Sequence, residues 1–536
     1  MSVPDPRTVA DLFRARADDP APGLVVGERT WSWREVVAEC DRRAEWLREW
    51  GPGGGRNVGL LLDNGPDYLF SLGAVALSGH VAVALNSTRS SIELAGDLAH
   101  TDVALVFADR PFTADVPVVD VETADWSVAG EPPTAPRTTA DDLLVLMFTS
   151  GSTARPKAVR HSHRHLVRRA TGLVVDAGLD ADSTVYLAMP MFHAGTMAGL
   201  LVPAIMVGAT IATRPRFSAS NFAVDVRRFG ATHTTFVGRT LHYILAQDPE
   251  PEPEAGSSLR VAIGNGAADA DIAAFAARFG CRVVDVYGTT EGAISLRRGP
   301  DNPPGSLGIA VAGDVRILDP RTGRECPRAV RGPDGEFGTL GPEVGEMVRV
   351  DGPGNFEGYW NNPEADAERL RDGRYWSGDL AWRDEAGNFY FAGRAGGMVR
   401  VDGENLSPHR IETAVGDRPE VGDCVVFAVP DPGSDDALMI VLTAPGGLDP
   451  ATFFDGLVAE GALSRKEVPR FVRVTAAIPR TATQKLLGRG LQGERWHTTD
   501  PVWWRPDTRA AFRPLTAADA AALDEAIRRT GRPLAG

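Results

Sequence analysis

Phe148-Thr149-Ser150-Gly151-Ser152-Thr153-Ala154-Arg155-Pro156-Lys157-Ala158 is the stretch on which the reading of this chain turns. The apolar run before it, Leu143 to Phe148, predicts a buried strand that empties into a loop dense in hydroxyls and small residues, after which a helical pattern resumes. Backbone N–H groups exposed by small side chains, the hydroxyls of Thr149, Ser150, Ser152 and Thr153, and the Lys157 ammonium offer a polyphosphate more donors than an ordinary turn supplies. The loop differs from the Gly-x-x-x-x-Gly-Lys-Ser/Thr phosphate loop, because Pro156 precedes its lysine. A solvated Ser/Thr-rich linker has the same local composition, so the choice rests on the remainder of the chain.

Upstream, Ser32 and Glu35 form a capping box that opens a helix carrying Val36, Val37, Cys40, Ala44 and Leu47 and stopping near Gly51. Strands and helices then alternate: Asn57 to Leu62 strand, Tyr68 to Leu77 helix, Val81 to Leu85 strand, Ser91 to His100 helix, Val103 to Phe107 strand. Such alternation predicts an α/β protein with a largely parallel sheet. The Pro-rich stretch Ala129 to Arg137 separates this first unit from the strand before the loop. Past the loop a second alternating region runs through Thr184 to Met189, Ala209 to Thr213, Thr232 to Phe236, Val261 to Ile263 and Arg282 to Val286. Between Gly299 and Val350 the Gly and Pro density rises around short β-like runs, which predicts a smaller β subdomain. The pattern renews after Arg394, where a domain boundary is expected. The fold class is therefore α/β, with an N-terminal domain over 1–393 made of two α/β subdomains and a β subdomain, and a smaller α+β domain over 394–536.

With 536 residues, more than one core is expected. A net charge of -15 argues against a general nucleic-acid binder and against attraction to anionic lipid, so an anionic cofactor would need a locally basic pocket. Cys40, Cys281, Cys326 and Cys424 are widely spaced and form no Cys-x-x-Cys pair, which signals neither a disulfide framework nor a zinc site. Free thiols in a reducing cytoplasm, no export signal in Met1 to Arg16 and no membrane-spanning segment are the expectations. Oligomeric state is not encoded in these patterns, and a homodimer is compatible with them.

Five ordered stretches form a constellation: Ser150 to Lys157; Pro190-Met191-Phe192-His193; Gly264-Asn265-Gly266 with Tyr287-Gly288-Thr289-Thr290-Glu291-Gly292; Ser377-Gly378-Asp379 with Gly393-Arg394; and Pro479-Arg480-Thr481-Ala482-Thr483-Gln484-Lys485. Together they resemble the adenylate-forming superfamily of acyl-CoA synthetases, nonribosomal adenylation domains and luciferases. Leu85-Asn86-Ser87-Thr88-Arg89, Arg400-Val401-Asp402-Gly403-Glu404-Asn405 and the tail from Asp500 to Thr516 are most similar to the very-long-chain acyl-CoA synthetase or fatty-acid transport protein branch. The resemblance covers essentially the whole chain.

The resemblance implies a carboxylate attacking the α-phosphorus of ATP, loss of pyrophosphate, and displacement of AMP from the acyl-adenylate by the thiol of CoA. Two anions must meet, so such a site supplies positive charge and excludes water. On the family's pattern Thr149, Ser150, Gly151, Ser152, Thr153 and Lys157 match the loop over the β- and γ-phosphates. Thr290 matches the α-phosphate contact and Glu291 the ligand of Mg²⁺. Tyr287, Gly288 and Thr289 match the adenine side together with Gly264, Asn265 and Gly266, where glycine lets backbone come close. Asp379 matches the ribose acceptor, Arg394 a second ribose or phosphate contact, and Lys485 the catalytic lysine. His193 and Gly238 match the acyl pocket, expected between Met191 and Leu201 and between Phe236 and Tyr243. Arg394 to Gly396 matches the hinge about which the C-terminal domain rotates, and Gly403 to Leu406 the loop facing pantetheine.

The chain departs from the family pattern with Gln484, Ala154 and Ala158 at positions often glycine. His161 and His165 could share a helical face and bind metal, but no third ligand is evident. Two other functions remain compatible with the sequence. One is a biosynthetic ligase passing an adenylate, of a carboxylate or another small oxyanion, to an amine, a carrier-protein thiol or another nucleophile. The other is a nucleotide- or acyl-binding homologue without catalysis.

Overall fold

The structure, a computed structural model, describes residues 7–51, 57–128, 138–149, 157–238, 240–248, 257–299, 301–330, 341–394, 399–401, 404–432, 436–481, 484–506 and 510–529. The chain divides into two compact units. One comprises Met1–Val315, Val348–Ser377 and Ala482–Gln484; the other comprises Arg316–Met347, Gly378–Thr481 and Lys485–Gly536.

The first unit contains the two alternating regions as two sheets. In the six-stranded sheet the order is Val118–Asp120, Val103–Ala108, Asn57–Leu61, Val81–Ala84, Leu143–Thr149, Lys157–Ser162, parallel except for the last pair. The nine-stranded sheet is parallel through its centre, where Arg282–Gly288, Val261–Asn265, His233–Val237, Thr184–Leu187, Thr210–Thr213 and Pro22–Val26 lie side by side. One apolar core joins faces of both sheets through the helices Trp33–Trp50, Pro66–Ser78 and His163–Ala177. Pro66–Ser78 is apolar on every side and buried along its length, as expected of a helix packed on all faces. The predicted capping box is present: Ser32 Oγ accepts the Glu35 N–H, and the Glu35 side chain accepts the Ser32 N–H.

The segment after the expected phosphate loop differs from the expected helix. Lys157–Ser162 is a strand, antiparallel to Leu143–Thr149 with Thr149 opposite Lys157. Ala158 and Val159 are buried against the sheet, and pairing satisfies backbone groups that a one-turn helix would leave open. The helix starts only at His163, where Ser162 Oγ accepts the His165 N–H. Ala158 is thus a core position in a strand, not part of a pliant loop; Ala154 lies outside the described residues.

Strands do occur in the Gly- and Pro-rich region, at Val315–Leu318 and Gly345–Arg349, and the division between units runs through both. In the second unit Cys424–Pro430, Asp436–Leu442, Phe471–Val474, Val502–Trp504 and Arg513–Pro514 form a five-stranded mixed sheet. Its core includes Ile411 and Val415 of helix Pro408–Gly416 and Phe454 and Leu457 of helix Pro450–Ala459. All four cysteines are buried free thiols. Among the described residues no helix is long and apolar enough to cross a membrane.

Gly264 owes its identity to packing within the first unit's sheet. A Cβ there would clash with the Phe236 carbonyl oxygen and ring on the adjacent strand, and backbone oxygen cannot swing away. Gly264→Ala should therefore lower the unfolding midpoint in urea, by the equivalent of about 1–3 kcal/mol for an overpacked site. An unchanged midpoint would show that the two strands part easily.

Candidate active site

Parallel register brings distant parts of the sequence to one edge. His233–Val237, Val261–Asn265 and Arg282–Gly288 are neighbours, with Val237 opposite Asn265 and Gly264 opposite Asp285. Their C-terminal ends therefore present Gly238, Gly264 to Gly266 and Tyr287 to Glu291 together, the crevice position at which open α/β sheets bind ligands. The loops are cross-linked there: the Gly238 N–H donates to the Asn265 carbonyl at 2.7 Å, and the Gly266 N–H donates to Asp285 Oδ1 at 3.1 Å.

Lys157 and Glu291, both nearly excluded from solvent, are answered separately. Lys157 Nζ lies 2.9 Å from Glu368 Oε2 and 5.3 Å from the centre of the Tyr359 ring. The Tyr359 hydroxyl donates to Glu291 Oε1 at 2.7 Å. Burial, reinforced by the Glu291 carboxylate, pushes the Tyr359 pKa far up, so this hydroxyl keeps its proton and acts as donor. Arg369 Nε donates to the same phenol oxygen at 3.4 Å, and its Nη1 donates to the Trp376 carbonyl at 3.4 Å. Of the predicted phosphate loop, Thr149 closes the strand and its hydroxyl donates to the Lys157 carbonyl at 3.5 Å. Ser150, Gly151, Ser152 and Thr153 lie outside the described residues.

His193 caps the short helix Ala194–Thr196, its Nδ1 accepting the Gly195 N–H at 3.2 Å. That helix runs into a π-helical turn, Met197–Leu201, whose five residues are all buried. His161 and His165 stack edge to face at 4.6 Å, and His165 Nδ1–H donates to the Asn355 carbonyl at 3.0 Å. Burial depresses the pKa of both rings, so they are neutral at physiological pH. Among the described residues no three His, Cys, Asp or Glu side chains converge on a metal position. The His165 ring instead abuts Gly292, where any Cβ would meet it.

The remaining predicted residues belong to the second unit. Asp379 is buried and lies opposite Arg394 in the antiparallel register of Arg374–Arg383 and Phe389–Arg394. The turn between these strands is closed by Asp384, whose carboxylate accepts the Asn388 N–H at 2.8 Å. The Lys485 N–H donates to Thr481 Oγ1 at 3.0 Å, and the Thr481 N–H donates to the Lys485 carbonyl at 2.8 Å. Gln484 adopts φ 62°, the left-handed conformation that costs a residue with a Cβ about 1–2 kcal/mol, which explains the family's preference for glycine there. Burial raises the Glu412 carboxyl to about 7, a shift that the charge of Lys485 opposes. Gly396 and Gly403, of the expected hinge and pantetheine loop, lie outside the described residues.

Residues 13–360 match the family described as AMP-binding enzyme. The chain belongs to the AMP-binding enzyme family. It is 40% identical over 513 residues to a medium/long-chain-fatty-acid–CoA ligase of Mycobacterium tuberculosis, covering 94% of this chain and 99% of the relative. It is 37% identical over 547 residues to a steroid-22-oyl-CoA synthetase of Rhodococcus jostii, covering 98% of each. Among solved structures, ATP-bound MatB from Rhodopseudomonas palustris superposes with a TM-score of 0.75 at 25% identity, covering 90% of this chain and 98% of that one. The chain is an ATP-dependent, AMP-forming ligase of the acyl-CoA synthetase group, and its α/β architecture is that of the adenylate-forming enzymes.

Within this AMP-binding enzyme the motif reading passed over Tyr359, Glu368, Arg369 and Asp285. The first three stand in the ordinary-looking Gly358-Tyr359-Trp360-Asn361-Asn362-Pro363 turn and the helix Pro363–Arg369 that Asn362 caps. The only sequence hint was an aromatic pair followed by a capped acidic helix. Burial raises Asp285 to about 6. Since that exceeds the unfolded value near 3.9, the folded state binds the proton more tightly, and the carboxylate weakens folding progressively as pH climbs from about 4 to 6. Asp285→Asn, which keeps an acceptor for the Gly266 N–H, should raise the urea midpoint at pH 7.5 by the equivalent of about 2 kcal/mol and by clearly less at pH 4.5. Equal gains at both pH values would refute this origin.

Proposed function

We propose that this enzyme activates a large apolar carboxylic acid with ATP and hands the acyl group to the CoA thiol, with the residues acting as follows. Lys157 and the hydroxyls of Thr149, Ser150, Ser152 and Thr153 bind the outer phosphates. Thr290 contacts the α-phosphate, Tyr287 with Gly264 to Gly266 borders adenine, and Asp379 and Arg394 hold ribose or phosphate. Lys485 bridges the acid's carboxylate and the α-phosphate as charge develops between them. The observation that carries the reading is the gathering of a buried lysine and a buried glutamate around one tyrosine beside the strand ends.

Glu291 fits Mg²⁺, because it is an anionic oxygen donor of the type a hard cation prefers and its carboxylate is held by a hydroxyl. Bound there, Mg²⁺ would supply Lewis-acid neutralisation of phosphate charge. In our reading residues 394–536 form a mobile domain that carries Lys485 and turns about Arg394 to Gly396 between adenylation and thioester formation. His193 and Gly238 border the acyl pocket. An apolar acid is supported by the buried Met191, Met197, Leu200, Leu201, Phe236 and Leu241 in the expected pocket segments, and by the fatty and steroid acids for which the relatives are named. We also assign the enzyme to the cytoplasm, with a homodimer as the form to test.

The test is pyrophosphate release over a panel of medium- and long-chain fatty acids, a steroid side-chain acid and hydroxycinnamic acids, with and without CoA. Native enzyme should release pyrophosphate only with acid, and AMP should turn over on adding CoA. Lys485→Ala should cut the first step by about 10²–10³-fold, the usual cost of losing one group that meets developing charge. Release unaffected by that substitution would remove Lys485 from the chemistry; release without AMP turnover on CoA would move the enzyme to another acceptor.

A further inference from the structure

We propose that Tyr359 is a positioning residue of the nucleotide site, holding Glu291 and Lys157 in a fixed relation and thereby setting the affinity for ATP in the presence of Mg²⁺. The proposal rests on the assignment of Lys157 to the phosphates and Glu291 to the metal.

Tyr359 is tied to both residues by different parts of itself. Its backbone is stitched to the strand that Lys157 begins: Val159 and Tyr359 form an antiparallel bridge, and the Trp360 N–H donates to the Ala158 carbonyl at 2.8 Å. The Arg160 N–H donates to the Gly358 carbonyl at 3.0 Å, and the Tyr359 N–H donates to Asp366 Oδ1 at 2.7 Å. The ring then lies beside the Lys157 ammonium, close enough for a cation–π attraction, and its hydroxyl reaches Glu291. Phe356 packs edge-on against this ring at 5.1 Å and tilts against Tyr375 at 5.3 Å, which leaves the phenol little freedom to turn. Arg369 Nε donates to the phenol oxygen, polarising the O–H toward Glu291.

The consequence for Glu291 is directional. A carboxylate with one oxygen held by a hydroxyl cannot spin freely about its last bond, so the other oxygen keeps one orientation. Partners of metal ligands that act in this way are worth about 10–100-fold in metal affinity or activity. Glu368 plays the complementary part for Lys157: it is the carboxylate that the ammonium contacts at 2.9 Å, and it stands largely in solvent, where an arriving phosphate can replace it.

ATP binding by calorimetry, with Mg²⁺ and with EDTA, tests this on the full-length enzyme, beside KM values for ATP and acid. Tyr359→Phe keeps the ring and removes only the hydroxyl. It should weaken ATP binding about 10-fold in Mg²⁺ and raise the KM for ATP similarly, while affinity in EDTA and the KM for acid change little. Tyr359→Leu, which also removes the ring beside Lys157, should weaken binding in EDTA as well. Combining Tyr359→Phe with Glu291→Gln should cost no more than Glu291→Gln alone. Native affinity in Tyr359→Phe, or equal losses with Mg²⁺ and with EDTA, would overturn the assignment while leaving the proposed activity standing. A native enzyme that binds no ATP would overturn both.

Discussion

A charge taken out of water must be answered where it lies, and the strand-end region of the first unit, where we propose that the nucleotide binds, is arranged around that constraint. Lys157 and Glu291 are both almost fully buried, with opposite signs, yet each has its own partner: Glu368 for the lysine, the Tyr359 hydroxyl for the glutamate. Had they paired with each other, the pair would have been self-sufficient, with little reason to bind phosphate or metal. Separate partners leave each charge available. Both partners come from the segment between Asn355 and Trp376, whose backbone is fastened to the strand Lys157–Ser162 at Gly358 to Trp360.

The parallel sheet supplies the other half of the design. Parallel strands must each return across the sheet before continuing, so their C-terminal ends accumulate at one edge and their following loops become neighbours. Gly238, Gly264 to Gly266 and Tyr287 to Glu291 are thereby gathered without any contact in sequence. Gly264 serves this gathering through packing: it lets the Phe236 carbonyl and ring lie against its strand.

Much of this was legible beforehand. The alternation of apolar runs marked the strands and helices to within a few residues, Ser32 with Glu35 announced a capped helix, and five ordered motifs pointed to adenylate-forming chemistry. The strand at Lys157 was not, because six residues with Ala158, Val159, His161 and Ser162 buried and Arg160 exposed carry no clean alternation, and only pairing with Leu143–Thr149 makes them a strand. The reading of His161 and His165 as a shared helical face failed for the same cause, since His161 lies in the strand Lys157–Ser162 and His165 in the first turn of the helix His163–Ala177.

The amino-acid sequence by itself determined the fold class, the placement of the glycine- and hydroxyl-rich loops and the residue types available for chemistry, because periodicity, caps and motif spacing are local properties. Only the tertiary structure decided which groups meet. Glu368 stands 211 positions from Lys157 and Tyr359 stands 68 from Glu291, and neither separation leaves a periodic trace. A side chain's burial can be inferred along one element, but its partner is chosen in three dimensions by register, by the direction of each strand and by the need to satisfy every buried charge.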